Sequence, residues 1–300
     1  MKILRTPESR FAELPGFPFE PRYVEIDGFR IHYVDEGGPA ASTVLLMHGE
    51  PTWSYLYRHM IPPIVGAGLR AVAPDFVGFG RSDKPARIRD LSYAAHVRWM
   101  HGFLDALDLH DITLVCQDWG SLVGLRLAAE QPDRFARIVL ANGGLPTGEQ
   151  QMPRAFRYWR AFARWSPWFP VGRIVQSGTV RRLSPGEIRA YDAPFPSFRY
   201  KAAARAFPRL VPATPGDPAR ADNLAAWQVL ERWQKPFLTA FSNRDPITRG
   251  GYRTFQERVP GCAGQAHTVM KNGGHFLQED LGPELAGVVI EFVRANPPAG

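Results

Sequence analysis

Three side chains, Asp118, Asp245 and His275, have the types and the chain order of a nucleophile, an acid and a histidine base. Each lies in a loop that follows a predicted strand: "QDWG" (117–120), "SNRDP" (242–246) and "NGGHF" (272–276). Because the carboxyl ends of parallel strands share one edge of a sheet, we expect the three side chains to meet there. An ionised carboxylate attacks a saturated carbon and becomes an enzyme-bound ester, which histidine-activated water then hydrolyses.

The segment "LVCQDWGSLVG" (114–124) reads as a strand, a sharp turn at Asp118 and a helix. The start of a helix offers backbone N–H groups and the positive end of the helix dipole, and both favour an ionised carboxylate. We expect the backbone N–H groups of Trp119 and Glu50 to form an oxyanion hole during ester hydrolysis. Asp118 alone would also suit a helix N-cap. Its combination with Asp245 and His275 favours the catalytic interpretation.

Trp119, next to the candidate nucleophile, indicates the leaving group. A halide needs no proton but does need N–H donors that replace its water, and an indole has one donor and no acceptor. The alkoxide that leaves an epoxide needs a proton donor, usually a tyrosine, and the segment after residue 146 contains Tyr158, Tyr191 and Tyr200. Trp119 favours a halide, with epoxide hydrolysis as the alternative. A non-catalytic binding protein is a third hypothesis, which the complete set of catalytic types argues against.

The elements that must position these residues alternate along the chain. A hairpin with its turn at Asp27-Gly28 comes first, and strands and helices then follow in turn. We predict a helix from about Ser54, another that Ser92 caps, and a final helix from about Pro283. This alternation is typical of an α/β fold with a mostly parallel sheet.

The alternation stops at about residue 146 and resumes after residue 218. The intervening stretch is helical but irregular, and it is rich in Pro, Trp and Arg. The sequence therefore predicts an α/β core domain of residues 1–145 and 219–300, with an inserted helical cap of residues 146–218.

Composition narrows the function classes. The chain has 300 residues, of which 45% are hydrophobic and 22% charged, as in a soluble globular protein. It has no apolar run that would serve as a signal peptide or span a bilayer. Cys116 and Cys262 are the only cysteines, which predicts free thiols, no zinc site and a cytoplasmic location.

The net charge of +7 is unevenly distributed. Residues 151–210 hold 11 Arg and one Lys against two acids, a net of +10, so the rest of the chain totals −3. This stretch has no run of basic residues beyond Arg181-Arg182. We interpret the charge as a solvated helical surface, and we expect neither nucleic acid nor a membrane as a partner.

Six motifs resemble those of the haloalkane dehalogenases. They are "HGEPTWSYLYR" (48–58), "DFVGFGRSDKP" (75–85), "CQDWG" (116–120), "DAPFP" (192–196), "RDP" (244–246) and "GGHFLQED" (273–280). They extend over most of the chain, and they are most similar to the subfamily with "HGEP" and an acid after the penultimate strand. Another subfamily has Asn at the position of Glu50 and takes its acid from after the sixth strand, where this chain has Asn142.

The resemblance implies an α/β-hydrolase fold with an inserted helical cap. It implies that a haloalkane and water give a primary alcohol, a halide and a proton, through an ester on Asp118 that His275-activated water hydrolyses. No cofactor and no metal are implied. The expected partners are a small halogenated hydrocarbon and a halide ion, and the expected state is a monomer.

The resemblance also implies a second halide donor in the cap. Trp159 has the matching spacing before "DAPFP", and Trp165 and Trp168 remain open as alternatives. It further implies an apolar substrate pocket, for which the candidates are Phe156, Phe207, Pro208, Val211 and Ile247.

Overall fold

The computed structural model describes residues 1–39 and 41–297. Its strands are β1 (Ile3–Leu4), β2 (Arg22–Ile26), β3 (Phe29–Glu36), β4 (Thr43–Met47), β5 (Arg70–Pro74), β6 (Lys84–Pro85), β7 (Ile112–Asp118), β8 (Phe135–Gly143), β9 (Phe237–Ser242) and β10 (Thr268–Met270). Its α-helices are α1 (Ile61–Gly66), α2 (Tyr93–Ala106), α3 (Trp119–Glu130), α4 (Arg154–Trp165), α5 (Val171–Ser177), α6 (Pro185–Asp192), α7 (Ala202–Leu210), α8 (Arg220–Leu230), α9 (Tyr252–Arg258) and α10 (Leu277–Ala295).

One large sheet organises the fold. Over the described residues it has eight strands in the spatial order β10-β9-β8-β7-β4-β5-β3-β2. β2 and β3 form an antiparallel hairpin, β3 is antiparallel to β5, and the strands from β5 to β10 across the sheet are parallel. The loops after β4, β7, β8, β9 and β10 therefore open at the same edge. This mostly parallel sheet confirms the predicted fold class.

The central strands explain why the sequence folds this way. Every residue of β4 and of β9 is buried, because helices cover both faces of a parallel sheet. On these strands the sequence is a nearly continuous apolar run rather than an alternating pattern. α3 packs against β7, β8 and β4, and α10 packs against β8 and β9. The resulting rigid layer holds the carboxyl-end loops in place.

Several local predictions agree with the structure. Asp27 and Gly28 both have positive φ, 50° and 77°, as a two-residue hairpin turn requires, and Ile26 pairs with Phe29. Ser92 caps α2, since its side chain accepts a hydrogen bond of 3.1 Å from the backbone N–H of Ala95. The pairing of β1 with β6 had no counterpart in the sequence pattern.

One helix boundary was wrong, and one short helical segment was missed. Ser54–Tyr57 forms a single 3-10 turn, and α1 begins only at Ile61, because Pro62 and Pro63 fit the first turn of a helix. The element α10 begins at Leu277, but it consists of two helices joined at a kink, and the second of them begins next to Pro283 as predicted. Leu281 leaves the helical conformation, with φ −141° and ψ 34°, and this kink accommodates the proline inside the element.

Four helices, α4 to α7, lie between β8 and α8 in the chain, inside the predicted cap of residues 146–218. α4 packs on α7 and α5 packs on α6, whereas α8 packs on α3. The division into core and cap domains remains a prediction. Among the described residues, no helix has both the length and the apolar character needed to cross a bilayer.

Candidate active site

Asp118 lies at the sharp junction of β7 and α3. Its backbone has φ 51° and ψ −123°, a region that a non-glycine residue occupies at a cost of about 1–3 kcal/mol. A β-carbon at Gly120 would lie 1.9 Å from the carbonyl oxygen of Met47, so only glycine lets α3 start this close to β4. With this tight turn, the Asp118 carboxylate projects beyond the edge of the sheet into the cavity described below.

The loop after β4 supplies a donor to this carboxylate. The backbone N–H of Glu50 donates to Asp118 Oδ1 at 2.7 Å. His48 supports the loop from below, since its Nε2 accepts from the Phe76 N–H at 3.0 Å and its Nδ1 donates to the Gly49 carbonyl at 2.8 Å. The Glu50 N–H is therefore fixed before any substrate arrives, as oxyanion stabilisation requires.

The imidazole of His275 lies between two carboxylates. Its Nδ1 is 3.0 Å from Asp245 Oδ2, and its Nε2 is 3.5 Å from Asp118 Oδ2. Asp245 also accepts hydrogen bonds from the Ile247 N–H, at 2.8 Å, and from the Thr248 hydroxyl. The structure thus brings together the three residues that the sequence selected, with Nε2 facing the candidate nucleophile.

These neighbours determine the charge of the imidazole. Burial lowers the pKa of His275, but the carboxylates of Asp245 and Asp118 outweigh burial and raise this pKa to about 10. Burial likewise raises the pKa of Asp245, and the charge and hydrogen bond of His275 bring this pKa below its ordinary value. At neutral pH an imidazolium therefore lies between two acidic side chains.

This arrangement predicts a pH dependence of stability. A histidine titrates near 6.5 in the unfolded chain and near 10 here, so its stabilising contribution is complete below pH 6.5 and disappears as the pH rises to about 10. The variant His275→Gln lacks this titration. The wild-type advantage in free energy of unfolding should therefore shrink between these two pH values, by a few kcal/mol in order of magnitude. Denaturant titrations across this range measure it, and a constant difference would contradict the prediction.

Asn142, at the end of β8, holds the loop that carries His275. Its Nδ2 donates to the carbonyl oxygens of Gly274, at 2.8 Å, and His275, at 3.0 Å, and its Oδ1 accepts from the Ser242 N–H at 2.8 Å. The sequence excluded Asn142 as the acid and gave no sign of this supporting role. Its position after a strand was the one available signal.

Asp280 connects the same loop to the segment between α5 and α6. It accepts hydrogen bonds from the Gly274 N–H at 2.7 Å, the Val180 N–H at 2.9 Å and the Arg181 N–H at 2.8 Å. The N–H of Phe276 also donates to the Gly178 carbonyl, at 3.2 Å. The histidine loop and the connection between α5 and α6 are therefore held by one carboxylate.

A buried ionic cluster lies beside this contact. Arg58 binds Glu279 at 2.9 Å and Glu187 at 2.7 Å, and Arg181 binds both acids. In the part of the chain that the structure describes, His59 together with Glu187 and Glu279 has the spacing of a metal site. Two guanidinium groups already neutralise these carboxylates, so the cluster fits an ion-pair network rather than a cation site.

A mostly apolar cavity of about 500 Å³ opens above Asp118. Glu50, Trp119 and His275 line it, and α4, α5 and α7 contribute to its walls. Of the predicted pocket residues, these line the cavity: Phe156, Pro208, Val211 and Ile247. A mostly apolar cavity beside a carboxylate suits a small apolar substrate.

Phe207 was predicted to line the pocket, but the structure places it outside the cavity. Its fully buried ring packs against the Trp119 indole, with 4.3 Å between ring centroids. The reason is the orientation of α7, which turns Pro208 toward the cavity and Phe207 toward the core. Phe207 and Tyr93, whose ring lies 5.2 Å from Trp119, fix the indole in one orientation.

The three candidate cap tryptophans differ in position. Trp159 lines the cavity, and its indole lies beside the Glu50 carboxyl. Trp165 and Trp168 are outside the cavity, with 72% and 66% of their surface exposed. Trp119 and Trp159 are therefore the two indoles that share a cavity with Asp118.

Glu50 is a buried acid that lines the same cavity as Asp118. Burial raises the pKa of Glu50 well above its ordinary range, and the charge of Asp118 adds to this effect, while His275 and the Trp159 indole oppose it. Its Oε1 atom has no hydrogen-bond partner among the described residues.

The tyrosines that epoxide chemistry would need lie elsewhere. Tyr158 points to solvent, Tyr191 is buried and donates to Glu279, and Tyr200 is partly buried. None of these three lines the cavity above Asp118. The geometry therefore offers no tyrosine from this set to protonate an alkoxide.

Comparison with known proteins agrees with this geometry. A sequence profile of the alpha/beta hydrolase fold family matches residues 42–280, so the chain belongs to that class. It is 55% identical to a haloalkane dehalogenase of Psychrobacter cryohalolentis, over 99% of this chain and 100% of the relative. It is 54% identical to haloalkane dehalogenase 1 of Mycobacterium tuberculosis, over 99% of this chain and 100% of the relative. The chain is a member of the haloalkane dehalogenase family.

A solved structure supports the same assignment. The tetrameric haloalkane dehalogenase DpaA from Paraglaciecola agarilytica superimposes with a TM-score of 0.89 at 36% identity. The match covers 96% of this chain and 97% of DpaA. The similarity therefore extends over nearly the whole chain.

Proposed function

We propose that the protein hydrolyses haloalkanes to a primary alcohol, a halide and a proton, with Asp118 as the nucleophile. The observation that carries this proposal is the Asp118 carboxylate in a mostly apolar cavity, 3.5 Å from His275 and next to two indoles. The alternative, epoxide hydrolysis by the same nucleophile, is not favoured, because the cap tyrosines lie away from the cavity.

In the first step, a carboxylate oxygen of Asp118 attacks the carbon that bears the halogen. We assign the attack to Oδ2, since Oδ1 already accepts from the Glu50 N–H. The new C–O bond forms as the carbon–halogen bond breaks, and the halide leaves with the bonding electrons. The indole N–H groups of Trp119 and Trp159 are proposed to bind this ion in place of water.

In the second step, the ester is hydrolysed. Esterification removes the negative charge of Asp118, which was one of the two charges that kept His275 protonated. The imidazole then releases its proton and becomes the base that deprotonates water, while Asp245 orients it. Water attacks the ester carbonyl, the N–H groups of Glu50 and Trp119 hold the oxyanion, and the alcohol leaves.

Halide release from 1,2-dibromoethane, 1-bromobutane and 1-chlorobutane tests this function. The folded protein should release halide and alcohol in equal amounts from at least one of these substrates. Styrene oxide is assayed in parallel for diol formation. Diol formation from it without halide release from the haloalkanes would establish the epoxide alternative instead.

The choice of Trp159 as the second halide donor yields a prediction. Trp159→Phe removes one N–H donor to an anion, a contact worth about 1.5–3 kcal/mol, so bromide affinity should fall by roughly 10- to 100-fold. Trp165→Phe is the matched control, because this side chain lies in solvent. Product inhibition by bromide gives both affinities. Weaker bromide binding in the Trp165 variant alone would transfer the role to that residue.

We also propose that the protein acts without a cofactor or metal, since every bond change above uses side chains and water. Dialysis against EDTA should leave halide release unchanged. A monomer in the cytoplasm remains our proposal for assembly and location. The two buried, unpaired cysteines support a reducing compartment. Because DpaA is tetrameric, light scattering after size-exclusion chromatography is the decisive measurement of assembly.

A further inference from the structure

Exposed aromatic rings are concentrated on one part of the molecule. Among the described residues, the large aromatic side chains with the greatest exposure are Tyr158 (74%), Trp165 (72%), Trp168 (66%) and Phe198 (48%). All four lie in the predicted cap, within the stretch of residues 151–210 that has a net charge of +10. Large exposed aromatic groups beside basic residues indicate a surface that contacts something other than water.

Helix α4 carries most of this surface on one side. Its exposed positions follow the spacing of a single helical face, and these positions are Arg154, Arg157, Tyr158, Ala161, Arg164 and Trp165. The opposite side of the same helix carries Phe156 and Trp159, which line the cavity. One helix therefore separates the cavity from the exposed face.

Contacts join the end of α4 to α7 and to Phe198. The Arg164 guanidinium lies over the Trp165 ring at 4.7 Å, and the Arg205 guanidinium lies over the Phe198 ring at 4.5 Å. Arg205 also donates to the Arg164 carbonyl at 3.1 Å. We name this patch the arginine–aromatic face, and its members are Arg154, Arg157, Tyr158, Arg164, Trp165, Trp168, Phe198 and Arg205.

The two acids of this stretch do not neutralise the arginine–aromatic face. Glu187 binds Arg181 and Arg58, at 2.6 Å and 2.7 Å. Asp192 accepts a hydrogen bond from the Gly172 N–H at 3.0 Å. The exposed arginines Arg154, Arg157 and Arg164 are therefore available to external anions.

The exposed aromatic rings on this basic surface change the expectation from the sequence, and we propose that the arginine–aromatic face docks the protein on a membrane surface of anionic lipid. Trp and Tyr favour the boundary between headgroups and acyl chains, and basic residues near an anionic surface each add about fivefold to partitioning. A second copy that pairs through the same face fits less well, because two surfaces of the same sign would meet. A nucleic acid also fits less well, because Arg164 already covers one side of the Trp165 ring.

Docking would shorten the path of the substrate. Haloalkanes are apolar and concentrate in lipid, and the cavity lies about one helix diameter, ~10 Å, behind the arginine–aromatic face. This consequence rests on the proposed function, whereas the docking itself does not.

Cosedimentation with vesicles tests the docking. The full chain should bind vesicles of phosphatidylcholine with 30 mol% phosphatidylglycerol far more strongly than vesicles of phosphatidylcholine alone. Trp165→Ala with Trp168→Ala should weaken binding about tenfold or more. Arg154→Gln, Arg157→Gln and Arg164→Gln together should weaken it by roughly 100-fold, since each residue contributes about fivefold.

The matched control changes three exposed arginines away from the cap, Arg22→Gln, Arg232→Gln and Arg294→Gln. It removes the same charge and should leave vesicle binding within about threefold of wild type. Equal losses in the two triple variants would overturn the proposal, because net charge alone would then explain binding. Binding to a single-stranded oligonucleotide without vesicle binding would also overturn it. So would a wild-type protein that forms oligomers which the tryptophan substitutions dissociate.

Halide release from a water-soluble bromoalkane separates this proposal from the proposed function. The cap variants should keep the wild-type rate without vesicles, because none of the changed side chains lines the cavity. Lost vesicle binding with retained halide release supports docking. Retained vesicle binding in both cap variants refutes docking, whatever the halide assay shows.

Discussion

Asp118→Asn should reduce halide release by about 10⁴-fold or more while the protein stays folded. The amide has the same shape and still accepts the hydrogen bond from the Glu50 N–H, but it lacks the charge that attacks the substrate carbon. Asn tolerates the positive φ of 51° at this position, so the fold should persist. Single-turnover halide release and thermal melting measure the two properties separately.

Asp108→Asn is the matched control for this substitution. Asp108 also has a positive φ, 48°, and its side chain is exposed. It should release halide at the wild-type rate. If Asp118→Asn kept activity within tenfold of wild type in freshly purified protein, another nucleophile would be required and the proposed mechanism would fail.

The second large effect is expected in His275→Phe, in which the reaction should stop after the ester on Asp118 has formed. Asp118 remains able to attack, so the variant should release about one equivalent of halide. The ester then lacks the base that activates water, so its hydrolysis should slow by roughly 10³-fold or more. Intact-protein mass spectrometry should show a stable alkyl adduct, and peptide mapping should place it on Asp118.

Two comparisons make the trapped-ester experiment decisive. Asp118→Asn should form no adduct, and His110→Phe, at an exposed histidine, should turn over normally. If His275→Phe released one equivalent of halide and its mass did not increase, no ester would have formed. That result would contradict the proposed roles of Asp118 as nucleophile and His275 as base.

The sequence was sufficient to select the residues that lie at strand ends. In a parallel sheet the connections after successive strands open at the same edge, so chain order alone indicated that Asp118, Asp245 and His275 would meet. Types and spacing then indicated the chemistry. Their distances of 3.0 Å and 3.5 Å required the structure.

The cap was harder to predict because its residues depend on helix orientation. Phe207 and Pro208 are adjacent, yet one packs behind Trp119 and the other lines the cavity. Trp159 and Trp165 are six residues apart, a rotation of about 240° around α4, so only one of them can face the cavity. Periodicity separates such positions but does not tell which side of the helix is inside.

Supporting contacts across long chain separations left no local pattern. Asn142 reaches the carbonyl of Gly274, and Asp280 reaches the backbone of Val180. These contacts join parts of the chain that are 132 and 100 residues apart. Hydrogen-bonding residues of this kind are common in loops, and their partners become apparent only once the chain is folded.

The shared carboxylate of Asp280 ties the connection between α5 and α6 to the loop of the general base. If that connection swings away, Asp280 loses the N–H groups of Val180 and Arg181, while its bond to the Gly274 N–H stays in place. Phe276, directly after the base, loses the Gly178 carbonyl at the same time. Such a displacement would free the residue beside the imidazole, whereas Asp245 and Asn142 would keep the imidazole itself aligned for the next ester cleavage.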